Sequence, residues 1–267
     1  MDHDDRTAAV HNTLEFPELL RLIDGRSTAF RAAIAAAPSL DLPVPSCPGW
    51  TLSDLVQHIG EGRRRWAATV AAGPDATSRT PAQGDAVAPQ EREAVQAWLA
   101  ASTELLLAAL REAGPDQGCF TGWGKTQVPH TAGGVARHQV QELAVHTYDA
   151  QLTVGEPAAL PAELALDGVE ETLFITCFTT SPWPHKPTAF DFHATEGRSW
   201  RLTADGDGAR TTRLPATGED PDAAGVSVRG TASDLVIYLY DRIPADSLQL
   251  DGDPELLDLL RAWVPED

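Results

Sequence analysis

Four polar residues on one stretch carry the first chemical signal. In "VARHQVQELAVHTYDAQLTV", His138, Glu142, His146 and Asp149 fall within an arc of roughly 80° at helical spacing. Ala, Val, Leu and Tyr supply most of the remaining surface, so the stripe either faces water or is satisfied inside the protein. Glu142 and His146 stand at i, i+4, where side chains meet one turn apart. A carboxylate oxygen and an imidazole nitrogen at that spacing can share one metal ion, as the two histidines of an HExxH helix do. His138 sits two turns from His146, about 12 Å along the axis, too far for both to reach one ion on a straight helix. A further ligand must come from a facing helix.

His58 is the candidate. It lies in "CPGWTLSDLVQHIGEGRRRW", at the margin of a face made by Leu52, Leu55, Val56, Ile59 and Trp66. From this helix alone, a half-buried histidine bonded to a carbonyl reads the same way. With Glu142 and His146 it gives a His2Glu set with an open fourth position, the pattern of catalytic rather than structural zinc. Thr51 and Asp54 form a variant capping box that fixes the phase of the helix. Gly62, which costs about 1 kcal/mol against Ala, leaves room above His58 and points to close approach of another group.

Of the three arginines 63–65, Arg65 lies about 20° from His58 around the helix and is the one placed to hold an acidic substrate; at least one of the three should be merely solvated. His138 and Asp149 are positioned to orient Glu142 or His146, with buried structural hydrogen bonds as the alternative. Cys47 reads as part of the turn before Thr51, with a nucleophilic role as the rival. His130, His185 and His193 fall in loop or strand contexts and receive no role.

These residues need a frame. Apolar periodicity predicts five helices: 16–37, about 52–72, 90–113, about 135–154 and 161–180. "SPWPHKP" then breaks the pattern. Beyond it, "TAFDFHATE", "RSWRLTAD", "ARTTRL" and "GVSVRGT" read as short strands separated by Gly and Asp turns. "ASDLVIYLYDR" and "PELLDLLRAWV" read as helices around "SLQLDGD". The expected fold class is α plus α+β: a helical bundle over 14–180 and a smaller α+β domain over 187–267.

Composition narrows the partners. Thirty-nine acidic against 20 basic residues give a net charge of −19, which repels nucleic-acid phosphates and anionic membranes. Lys125 and Lys186 are the two lysines, so the basic charge is nearly all arginine. The N-terminus is polar and acidic, unlike a signal peptide, and no apolar run reaches the ~18 residues of a membrane helix. A cytosolic protein is expected. Cys47, Cys119 and Cys177 are odd in number and widely spaced, so neither a disulfide framework nor a cysteine zinc knuckle is expected.

"VPSCPGWTLSDLVQHIGEG" and "RHQVQELAVHTYDAQLTVG" resemble the signature pair of the mycothiol-dependent maleylpyruvate isomerase-like family, "P-x-C-P-G-W-[ST]-x-x-D-L-x-x-H" and "E-x-x-V-H-x-x-D". "GTASDLVIYLYDR" resembles its C-terminal helix. The resemblance implies a DinB-like four-helix bundle followed by a sterol-carrier-like α+β domain. It implies that His58, Glu142 and His146 bind zinc or another divalent metal, and that Arg242 matches an arginine common in the family, placed to reach a carboxylate across the domain interface. It implies mycothiol as thiol co-substrate, its thiolate attacking a small electrophile in an isomerisation or an S-transfer. The second motif usually runs H-R-W-D, and here it runs His146-Thr147-Tyr148-Asp149, which puts substrate preference rather than metal binding in question. A non-catalytic metal-dependent binding protein and a metal hydrolase stand as rival readings, the latter weakened because no extra general base accompanies the three ligands.

Overall fold

Thr51 starts the helix that carries His58. Its hydroxyl accepts from Asp54 N at 3.3 Å, and the Asp54 carboxylate accepts from Thr51 N at 2.8 Å. Both halves of the capping box are therefore made. The loop before it is pinned by Val44 N→Trp50 O at 2.9 Å and Trp50 N→Cys47 O at 3.0 Å, with Gly49 at φ 84° making the turn.

The computed structural model describes residues 14–78, 80–82, 84, 86–124, 126–155, 157–175, 181–214 and 224–263. Four long helices come first: α1 (Phe16–Ala36), α2 (Leu52–Ala72), α3 (Arg92–Ala113) and α4 (Ala132–Val154). α1 packs on α4 and α3, and α2 on α3 and α4, which closes a four-helix bundle. Leu52, Leu55, Val56 and Ile59 are buried as the periodicity requires. α4 begins earlier than the apolar pattern indicates because Thr131 caps it, accepting from Gly134 N at 3.3 Å. Along α4 residues 132–137, 139–141, 143–145, 147, 149 and 150 are buried, so that before the last turn His138, Glu142, His146 and Tyr148 are the part-exposed positions on a sunken helix.

α5 (Ala162–Ile175) packs chiefly on α6 (Ala232–Leu239) and also on α4. The last part of the expected fifth helix, 176–180, lies outside the described residues. A five-stranded sheet follows: β1 (Thr188–Ala194), β2 (Ser199–Asp205), β3 (Gly208–Arg213), β4 (Val226–Gly230) and β5 (Gln249–Gly252). The order is β3-β2-β1-β4-β5, antiparallel except where β1 and β4 run parallel. The register aligns Phe190 with Leu202 and Val226, and Phe192 with Trp200 and Val228; all six are fully buried on one face. α7 (Glu255–Trp263) completes the seven helices among the described residues.

Buried charges join the bundle to the sheet. Arg137 on α4 donates from Nε to both Asp167 oxygens at 3.0 Å and from Nη2 to Glu170 at 3.2 Å. Glu170 in turn accepts from Trp200 Nε1 at 3.1 Å and Arg213 Nη2 at 2.8 Å. Two guanidiniums thus offset two carboxylates, as burial of charge demands.

The helix expected over 232–242 stops sooner. Asp241, at φ 61°, ends it in a left-handed turn. Asp241 N→Tyr238 O and Arg242 N→Ile237 O, both 2.9 Å, form a Schellman closure. Arg242 therefore sits beyond α6, and the turn sends its side chain to the bundle. No helix among the described residues is long and apolar enough to cross a membrane.

Candidate metal centre

α2 and α4 bring His58, Glu142 and His146 together. His58 Nε2 lies 3.0 Å from Glu142 Oε1, and the His58 and His146 ring centroids are 5.0 Å apart. One ligand atom from each of the three falls within 4.8 Å of the others. Tetrahedral zinc with bonds of about 2.1 Å sets its ligand atoms roughly 3.4 Å apart, so the three donors are of a kind that suits the ion and lie close enough to share one. Burial works to raise the Glu142 pKa, but the His58 hydrogen bond and the field of His138, His58 and His146 hold it well below the usual carboxylate range. Its second oxygen accepts a short hydrogen bond from Gln139 Nε2. Trp50 covers the two histidines, its ring 5.0 Å from His58 and stacked 6.4 Å from His146.

Asp149 organises the far side of His146. The His146 Nδ1 lies 2.8 Å from Asp149 Oδ2. An ionised carboxylate only accepts, so Nδ1 carries the proton and Nε2 keeps its lone pair for a metal. This is the outer support that ligating histidines commonly have. Asp149 is fully buried. It also accepts from Ser46 Oγ at 2.6 Å, from Cys47 Sγ at 3.4 Å, and from Arg242 Nε and Nη2 at 3.0 and 2.9 Å. Burial works to raise its pKa, and the His146 and Arg242 hydrogen bonds overcome that and leave it well below the ordinary range.

Cys47, His146 and Asp149 form a second group of metal-type donors. It is the weaker site. Arg242 Nη2 reaches Cys47 Sγ at 3.4 Å as well as Asp149, so a guanidinium already serves those atoms. Burial and the Asp149 charge push the Cys47 thiol up to about 11, keeping it neutral at pH 7.

Other candidates are placed as follows. His138 flanks Glu142, with Nε2 4.0 Å from Oε2, and bonds Glu171 through Nδ1 at 2.8 Å. Arg65 pairs with Glu61 one turn back and stays part-exposed. Arg63 and Arg64 are buried, where the bundle interior supplies hydroxyls, and Arg65 is the one of the three that stays part-exposed. Arg63 donates to Ser27 and Thr103 at 3.1 and 2.6 Å, and Arg64 to Ser102 at 2.9 Å with its guanidinium 5.4 Å over the Trp98 ring. Gly62 meets nothing within 4 Å, so the crowded glycine is Gly60, whose added Cβ would lie 1.8 Å from Trp98.

Sequence reasoning missed Trp50, Gln139, Ser46 and Glu171. The i, i+3 spacing of Gln139 and Glu142 was a usable local signal. Ser46 and Glu171 act across 103 and 33 residues, with no local signature.

The Mycothiol maleylpyruvate isomerase N-terminal domain profile matches residues 20–151, and the MDMPI C-terminal domain profile matches 163–259. No curated protein matches the chain by sequence. The crystal structure of the mycothiol-dependent maleylpyruvate isomerase is similar, with TM-score 0.58 and 15% identity over 90% of this chain and 95% of that one. A histidine-to-alanine mutant of a protein of that name gives TM-score 0.57 and 16% identity at the same coverage. Those identities speak to the fold, and the profiles span both the bundle and the sheet: the chain belongs to the mycothiol maleylpyruvate isomerase family.

Proposed function

We propose that the protein is a zinc-dependent enzyme that uses mycothiol to isomerise or S-conjugate a small electrophile. The observation that carries this reading is the His58–Glu142–His146 donor set, with His146 oriented by Asp149. The set leaves a position open for a non-protein ligand, as catalytic zinc sites do. Zinc held there would supply a Lewis-acid centre that favours the ionised form of a thiol. The chain's own residues do the rest. Asp149 fixes the His146 tautomer, Gln139 holds one Glu142 oxygen, and Trp50 limits water access to the two histidines. Addition of the thiol to a conjugated cis double bond frees that bond to rotate, and elimination returns the trans isomer. A carbon bearing a leaving group gives S-transfer instead.

Arg65, part-exposed on the same helix as His58 and paired only with the part-exposed Glu61, is the cation that an acidic substrate would draw on by displacing that pair. Arg242 is committed to Asp149 and acts through it, as a positioning residue.

The test is metal loading followed by thiol binding. His58→Ala should lose most bound zinc, because two ligands on one helix hold the ion weakly; stoichiometric zinc in that variant, by elemental analysis, would remove the ligand set. Calorimetry should show mycothiol binding to zinc-loaded and not to metal-free protein. Equal binding to both forms would favour a binding protein over an enzyme.

A further inference from the structure

We propose that Arg63 and Arg31 hold a small inorganic anion, chloride in ordinary buffers, in the interior of the bundle between α1, α2 and α3. The site stands apart from the metal centre and does not depend on the proposed reaction.

A comparison within the molecule gives the first argument. Arg63, Arg64 and Arg137 are the buried arginines among the described residues, at 2%, 8% and 1% exposure. Arg137 meets the Asp167 and Glu170 carboxylates. Arg64 lies over the Trp98 ring and donates to Ser102. Arg63 meets hydroxyls instead, its Nη1 donating to Ser27 and Thr103. Hydroxyls satisfy N–H groups but do not offset a charge, and buried charges in folded proteins are paired. Burial pulls the Arg63 pKa down to about 10; the field of Glu142 opposes that shift and the field of Arg31 adds to it. Glu142 is no contact partner of Arg63, and one of its oxygens accepts from Gln139.

Unused donors give the second. Arg63 Nη2 and Arg31 Nε are buried and find no acceptor among the described residues, whereas buried N–H groups nearly always have one. The two guanidiniums converge on one turn of α1. A helical side chain leans toward the turn before its own Cα, which lays Arg31 over Ser27 and Thr28. Its Nη2 reaches Thr28 Oγ1 at 3.5 Å, and Arg63 Nη1 lies 3.1 Å from Ser27 Oγ.

Charge selects the ligand. Thr103 donates to Leu99 O at 3.0 Å, so Ser27 supplies the proton of the 2.7 Å Ser27–Thr103 bond. Both hydroxyl protons are then committed, and guanidinium N–H groups are the donors left at this turn. Arginine carries donors and no acceptor. A water molecule would accept from them and leave two like charges facing each other in a low dielectric. A monovalent anion accepts from both and offsets the charge as well. Arg31 as a whole is part-exposed, which gives the ion a way in from solvent.

The experiment melts the full-length protein in sodium chloride and in sodium gluconate at matched ionic strength, gluconate being too large for two side chains to enclose. The midpoint should be higher in chloride and should rise with its concentration, as for any ligand of the native state. Arg63→Met should lose that dependence altogether. Arg31→Gln, at a part-exposed position, should weaken the chloride affinity several-fold, so the test stands if Arg63→Met does not fold. Crystals soaked in sodium bromide should show an anomalous peak within hydrogen-bond reach of Arg63 Nη2 and Arg31 Nε. No peak there overturns the proposal and makes water the occupant. Equal midpoints in the two salts overturn it too, and mark any bromide peak as an adventitious ion only. A chloride dependence that survives in every variant that folds puts the stabilising anion elsewhere and overturns it as well.

Discussion

Arg242 grips Asp149 with two parallel hydrogen bonds, Nε to Oδ1 at 3.0 Å and Nη2 to Oδ2 at 2.9 Å, across 93 residues of sequence. This fork joins the turn after α6 to α4, and the same carboxylate holds His146. One contact of the C-terminal unit with the bundle and the orientation of the candidate metal ligand His146 thus share the buried Asp149 carboxylate.

Arg242→Met should weaken both. Breaking a buried pair by removing one partner costs about 3–5 kcal/mol, and loss of support behind a ligating histidine costs roughly 10–100-fold in metal affinity. A chelator competition and a thermal melt would measure these. Arg242→Lys should recover little, since an ammonium cannot reproduce the fork. A variant that melts early yet binds zinc as tightly as wild type would show that the fork serves docking alone.

Cys47→Ser should keep stoichiometric zinc, because the competing donor group already contains the Arg242 guanidinium. In the wild type, alkylation of Cys47 should be slow at pH 7.5 and accelerate toward pH 11, following a thiol that burial has pushed up to about 11. The linkage runs the same way for buried Cys119, also pushed up to about 11 by burial. From about pH 9 the unfolded thiols release protons that the native ones retain, so stability falls as pH rises through that window. Peptide mapping of iodoacetamide adducts, compared with Cys47→Ser, reads the first part; rapid labelling at neutral pH would contradict it.

Much of this arrangement is legible in the chain because it is local. The period of α2 and α4 places His58 at the edge of one apolar face and Glu142 one turn from His146, and the strands of the sheet follow their alternation. What is not legible depends on contacts distant in sequence. Nothing local marks Arg63 and Arg64 as interior residues, yet both are buried, with Ser27, Thr103 and Ser102 accepting from them inside the bundle. The partner of Arg242 follows from a left-handed turn at Asp241, a residue without the usual glycine signal.

Thr51→Ala tests the device that sets the phase of α2. The substitution removes the hydroxyl that accepts from Asp54 N and leaves one half of the box. A cost of about 1 kcal/mol is expected, read from denaturant midpoints. Fraying of the first turn would loosen the 44–50 loop that adjoins it, so zinc affinity should fall modestly too. No loss of stability would mean that the Leu52 N→Leu42 O and Ser53 N→Leu40 O bonds hold the helix start unaided.

Gly60 and Gly62, two residues apart on α2, should respond in opposite senses to alanine. A Cβ at Gly60 would fall 1.8 Å from Trp98 Cζ3 and 2.1 Å from Cη2, so the indole must move. Trp98 is buried and lies under the Arg64 guanidinium, so its shift disturbs a second buried group, and overpacking of this kind costs about 1–3 kcal/mol. A Cβ at Gly62 meets nothing within 4 Å. There alanine should gain about 0.5–1 kcal/mol from helix propensity and a less free unfolded chain. Paired urea titrations of Gly60→Ala and Gly62→Ala decide it. Destabilisation at Gly62 would show that the open space beside His58 is needed by the folded protein, as the sequence pattern alone had indicated.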